Sequence, residues 1–454
     1  MKYLSKHGGR RDHAIKLSDH FTYRKLLRFT MSSVIMMIFT SVYGVVDGFF
    51  VSNFVGKTPF AAVNFIMPVL MILGAVGFMF GTGGSALVAK TLGEGKRERA
   101  NRLFSMLVYA TAISGAIIGI IGIIFLRPIA ALLGAEDDML NGCVLYGRII
   151  LAALPVLMLQ YEFQSFFVTA EKPKLGLAVT VAAGITNMIL DAILVAVLKL
   201  GIAGAALATA MSQVVGGVVP IIYFARKNTS LLQLTKTSYD GKAMMKACTN
   251  GSSELMANIS MSLVGMLYNI QLIKYAGQDG VAAYGVLMYV NFVFLAAFIG
   301  YAVGTAPVVG FNYGAGNHAE LKNILKKSIV IISVCAAAMF VSAQLLARPL
   351  AKMFVGYDAQ LFSLTHMAFR IFSFSFLFAG FTICGSSFFT ALNDGLTSAL
   401  ISFLRTIVFQ IAAVLLLPLL FGIDGIWYSI TAAELIAAAV TVVFVICKRD
   451  KYGY

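Results

Sequence analysis

The chain has 454 residues, 59% of them apolar and only 12% charged. Soluble globular domains carry about a quarter of their residues as charges and disordered chains lack such hydrophobicity, so both classes are excluded. The formal charge of +15 does not mark a nucleic-acid binder, because the basic residues sit in short clusters between apolar segments rather than on a soluble domain.

A membrane-crossing helix needs about 20 mostly apolar residues. Twelve such spans are predicted in chain order: 27–54, 60–91, 103–126, 142–168, 175–198, 202–225, 249–275, 281–311, 324–346, 361–390, 396–420 and 424–447. The fold class is therefore an all-α polytopic membrane protein. The stretch before the first span is polar through about His20, and no cleavable signal peptide is expected there. With the N-terminus placed inside, one side of the membrane collects 26 Lys and Arg; the other holds only Lys57, Arg127, Lys199, Lys274, Arg348 and Lys352. This asymmetry predicts both termini in the cytoplasm. Pro68, Pro155, Pro220 and Pro307 fall inside spans, where kinks are expected.

An internal repeat emerges at an offset of 221 residues. Gly56 meets Gly277, Gly83 meets Gly304, and Gly93 and Gly95 fall on Gly314 and Gly316. Thr169-Ala170 falls on Thr390-Ala391, and Gly201-Ile202 with Gly204 on Gly422-Ile423 with Gly425. Each half holds six spans, an even number, so the repeats are parallel, as in transporters whose substrate site lies between two halves. The expected organisation is a cytoplasmic segment 1–26, a first lobe 27–225, a short basic linker 226–248, a second lobe 249–447 and a cytoplasmic tail 448–454.

Ionisable groups inside a bilayer are costly and are functional candidates by default. Asp47, Glu162, Asp191, Glu254 and Glu434 fall within spans. Asp47, Asp191 and Thr209 each lie about 10–12 Å inside the far end of their spans at 1.5 Å per residue, and Asn187 shares a helix face with Asp191. Carboxylate, amide and hydroxyl oxygens at one depth suit a proton or Na+, the alternative being hydrogen bonds between helices. Glu254 is placed about five residues from the start of the seventh span, as a substrate group or half of an ion pair. Glu162 and Glu434 suit gate, helix-pairing or transport roles alike. Arg148 and Arg370 are expected to pair with acids or to snorkel outward.

A substrate pathway between two such halves should be apolar and adaptable. Its candidates are Tyr43, Gln164, Tyr268, Asn269 and Met288, besides Glu254. Cys143, Cys248, Cys335, Cys384 and Cys447 have no paired spacing, and no disulfide framework, resident metal or cofactor is expected. The histidines His7, His13, His20, His318 and His366 are dispersed, and no catalytic triad is found. The chain reads as a non-enzyme.

The segments LGEGKRERANR and YGAGNHAELKN, which end the second and eighth spans, resemble the paired cytoplasmic loops of the multidrug and toxic compound extrusion (MATE) family. YGVVDGFFVSNFVG, NMILD and GIAGAALATAMSQ are similar too. The likeness runs over nearly the whole chain and is strongest to the bacterial MepA/DinF-like branch. It implies a two-lobed, V-shaped antiporter that expels organic cations against an inward flow of H+ or Na+. It also implies that Asp47, Asn187, Asp191 and Thr209 form a coupling site in the first lobe. Many relatives carry a proline where this chain has Ser32, so a proline-based bend of the first span is not expected. The implied partners are small cationic or amphipathic molecules and membrane lipids, with no nucleic acid, and the protein is expected to act as a monomer. Two rival readings are a flippase for lipid-linked precursors and a major-facilitator exporter. The first would need a cleft rich in Arg and Lys, and the second an Asp-Arg pair that GEGKRERA lacks.

Overall fold

The computed structural model describes residues 15–454, so His7 and His13 lie outside the described residues. Every regular element among the described residues is a helix. Among the described residues ten helices are long and apolar enough to cross a membrane, and the pair Asp137–Ala152 and Leu154–Thr169, bent by 58°, makes an eleventh. The 74-residue element Gly241–Gly314 is two legs that meet at Gly277, whose φ of 61° and ψ of −150° break the helix. Counting each leg once gives twelve spans.

The helices extend beyond the apolar segments. The second and third spans run Lys57–Gly93 and Arg97–Leu132, and the ninth runs His318–Val355. The seventh begins at Gly241, where the Asp240 carboxylate accepts from Lys242 N and Ala243 N at 3.1 Å and caps it. The linker expected over 226–248 is therefore helical in its last residues. Hydrogen-bonded caps and polar outer turns let helices outlast their apolar stretch. The fifth span (Pro173–Asp191) passes into a π-helical turn at Ala192–Val197. The eleventh (Gly395–Phe403 and Gln410–Phe421) is interrupted by another at Leu404–Phe409. Of the four prolines where kinks were expected, Pro155 sits at the 58° bend, whereas helical geometry continues through Pro68, Pro220 and Pro307. The first span, Tyr23–Phe50, is continuous through Ser32.

The two halves meet along the first and second spans on one side and the seventh and eighth on the other. Their closest approach lies near the end that carries the linker. A Cβ on Gly93 would strike the Phe311 carbonyl, and one on Gly314 would strike the Lys90 carbonyl. Both pairs are related by the 221-residue offset, so the repeat is built into the contact. Gly83 against Gly251, and Gly304 against Thr30, form a second related pair. Asn393 adds a polar bridge, donating to Ala86 O at 3.2 Å while its Oδ1 accepts from Asn250 at 2.7 Å.

A segment ahead of the first span crosses the same seam. Leu17 N donates to Glu171 of the first half at 2.6 Å, and Phe21 N to Glu320 of the second half at 2.9 Å. His20 Nδ1 lies 2.7 Å from the same Glu320 carboxylate, and Lys327 donates to Phe21 O at 2.6 Å. Leu17 and Phe21 are fully buried, so this strap is part of the core.

At the C-terminus, Tyr452 donates to Asp394 at 2.7 Å and Thr397 does so at 2.8 Å. Burial disfavours the Asp394 charge, but these bonds outweigh it and hold the carboxyl below its ordinary value. A lowered carboxyl contributes stability above its unfolded pKa and loses it as pH falls through the folded value. Tyr452→Phe should therefore cost about 1–2 kcal/mol at pH 7. The gap in melting temperature from wild type should narrow between about pH 5 and pH 3. At the seam, Gly93→Val or Gly314→Val should destabilise by about 1–3 kcal/mol through overpacking. Gly285→Ala, with nothing within 4 Å of the new methyl, should not lower the melting temperature.

Candidate functional site

In the first half, three spans bring Asp47, Asn187, Asp191 and Thr209 together. Asn187 Nδ2 donates to Thr209 Oγ1 at 3.5 Å, and Thr209 Oγ1 donates to Asp47 Oδ1 at 3.5 Å. The Asp191 carboxyl faces that of Asp47. Asn187 and Asp191 are at most 1% exposed, and both Asp191 oxygens and Asn187 Oδ1 have no hydrogen-bond partner. Unpartnered buried oxygens are costly in a bilayer, so these lone pairs are suited to a bound cation or a shared proton. Asp191 is the last α-helical residue before the π turn Ala192–Val197. Such turns often accompany functional sites.

Tyr146 joins this cluster without having been singled out. It is buried, and its phenol lies against Thr209 with Asp47 close by. In the sequence it sits inside an apolar helix face, and the need of a buried phenol for a partner was the one signal available. Tyr43 reaches toward Asp47 and Gln160 rather than an open surface. Gln164, one turn beyond Gln160, is buried with both amide atoms unpartnered. Glu162 is fully buried in the first half with neither oxygen hydrogen-bonded.

A cavity of about 270 Å³ lies between the halves, mostly against the second, with Thr82, Ser85 and Ser165 contributed by the first. Glu254, Tyr268 and Met288 line it, while Tyr43, Gln164 and Asn269 are not on its wall. Tyr268 stacks on Tyr284 at 5.3 Å between ring centres. Because the seventh span begins at Gly241, Glu254 lies about 20 Å along it at 1.5 Å per residue. The added turns carry Lys242 and Lys246 and precede the apolar segment in which Glu254 lies. Glu434, also on the wall, is held by Arg405: Nε lies 2.9 and 3.0 Å from the two carboxylate oxygens, and Nη2 2.7 Å from one of them. Arg405 stands in the π turn Leu404–Phe409, so both halves place a charged group at such a turn. Arg148 is exposed. Arg370 is exposed too and contacts Gln344 at 3.4 Å, while His366 stacks on Phe362. Among the described residues no three His, Cys, Asp or Glu side chains are grouped to hold a metal.

A model of the MatE family matches the chain twice, at residues 32–193 and 255–416, once in each half. The chain is 26% identical over 431 residues to the multidrug export protein MepA of Staphylococcus haemolyticus (strain JCSC1435), covering 94% of either chain. In fold it is similar to a crystal structure of MATE in complex with MaL6, at a TM-score of 0.91 and 22% identity, covering 96% of this chain and 98% of that one. An outward-facing multidrug resistance MATE family transporter of the MOP superfamily also gives a TM-score of 0.91 and 22% identity, over 97% and 99% of the two chains.

The Arg405–Glu434 pair is 15% and 4% exposed at its side chains, and removing one partner would strand a buried charge. Glu434→Ala should cost about 3–5 kcal/mol, read as a lowered melting temperature in detergent. Glu162→Gln, which strands no counter-charge, should cost far less.

Proposed function

The chain belongs to the MatE family, and we propose that it is a secondary active exporter of amphipathic, mostly cationic compounds, driven by an inward flow of H+ or Na+. The observation that carries this reading is a division of labour. The cluster of Asp47, Asn187, Asp191 and Thr209 lies in the first half, whereas the cavity lies chiefly against the second, and the two share no residue. The name of the staphylococcal relative, a multidrug export protein, supports the substrate class.

The coupling ion occupies the Asp47, Asn187, Asp191 and Thr209 cluster. As a proton it is shared between the two facing carboxyls; as Na+ it takes carboxylate, amide and hydroxyl oxygens. The organic cation enters the cavity beside Glu254, with Tyr268 and Met288 as adaptable walls. Ion and substrate favour opposite orientations of the two lobes, so each weakens the hold on the other, and the effect is reciprocal. Rocking about the seam then exposes the cavity to either side in turn. The linker end faces the cytoplasm, with both termini on that side, in accord with the 26-to-6 distribution of Lys and Arg.

The test is ethidium efflux from liposomes with the H+ and Na+ gradients imposed separately. One gradient should drive export in the wild type, and Asp191→Asn should lower that driven rate at least about tenfold, equivalent to about 1.4 kcal/mol, while the protein still inserts and folds. Normal gradient-driven export by Asp191→Asn would refute the coupling role.

A further inference from the structure

The three charged side chains on the cavity wall are not equivalent. Among the described residues lining it, Arg405 is the one cation, and Glu254 and Glu434 are the two anions. Arg405 grips Glu434 through three contacts of 2.7 to 3.0 Å, the fork geometry that suits a guanidinium and a carboxylate. Glu254 stands on the same wall outside that fork. The 221-residue repeat supplies none of this: Gly184, Gln213 and Ser33 occupy the first-half places of Arg405, Glu434 and Glu254. The trio belongs to the second half alone.

We infer that Arg405 sets the charge the cavity accepts: one guanidinium against the Glu254 and Glu434 carboxylates leaves one net negative charge, so the cavity takes amphipathic monocations and rejects dications. This rests on the exporter reading and names the substrate class within it. A ligand with one positive centre places it at Glu254 and its apolar body against Tyr268, Tyr284, Met261 and Met288. A second positive centre on the same ligand finds no further net negative charge to meet, and the Arg405 guanidinium repels it.

The experiment measures equilibrium binding of tetraphenylphosphonium, and of a dication made of two triphenylphosphonium heads joined by a four-carbon chain, to the full-length protein in detergent. Wild type should prefer the monocation by about tenfold or more. Arg405→Gln should erase that preference by tightening dication binding, and Arg405→Lys should keep it. The double variant Arg405→Met with Glu434→Met leaves the net cavity charge unchanged and should also keep it, which separates charge selection from mere loss of an ion pair. Should Arg405→Gln fail to fold, the double variant and Glu254→Gln carry the test: the first must retain monocation binding and the second must lose at least about tenfold of it. An unchanged preference in Arg405→Gln, or preferential wild-type binding of the anion tetraphenylborate, would overturn the inference. Cation binding that follows the expected pattern without any gradient-driven transport would sink the exporter reading and leave this one standing.

Discussion

Main chain resting directly on main chain holds the two halves together. At Gly93 and Gly314 no side chain separates the second span from the eighth, and the repeat makes the contact reciprocal. Close approach by small residues is the usual basis of helix association in lipid, where no hydrophobic gain distinguishes a neighbouring helix from an acyl chain. Here it also fixes where the halves touch. The contact gathers toward the linker end, and the Asn393 bridge and the Leu17–Phe21 strap lie at that same end.

The halves share a path through the membrane but handle buried charge in different ways. The first sets two carboxyls face to face and surrounds them with hydroxyl, amide and phenol. It contains no neutralising cation in that cluster. The second answers a carboxylate with a guanidinium on the next helix. Two copies of one architecture have thus acquired opposite solutions to the cost of an ion in a low-dielectric medium. One remains short of partners, and the other is internally compensated save for one acid.

Much of this was legible in the sequence because the governing signals are long-range and repeated. Apolar runs marked the spans, and the glycine matches at one offset marked two halves that the MatE matches at 32–193 and 255–416 also divide. The depth argument drew Asp47, Asn187, Asp191 and Thr209 to one level, and the structure places those four side chains together. What escaped was set by packing and by capping. Tyr146 joins the acids through packing against Thr209 of the sixth span, which a linear reading does not reveal. The Asp240 cap starts the seventh helix well before its apolar stretch, which hydropathy alone does not reveal. Arg405 and Glu434 lie 29 residues apart in sequence, and their pairing depends on how the eleventh and twelfth spans pack.

The strap ahead of the first span ties two acidic anchors that belong to different halves, Glu171 and Glu320. A peptide of five residues has a fixed reach of roughly 17 Å at full extension. Parting the halves beyond that reach would unseat Leu17 or Phe21 from its burial and uncouple one carboxylate from its backbone donor. The strap acts mechanically in parallel with the seam, and anything that grips it alters how readily the two bundles part there.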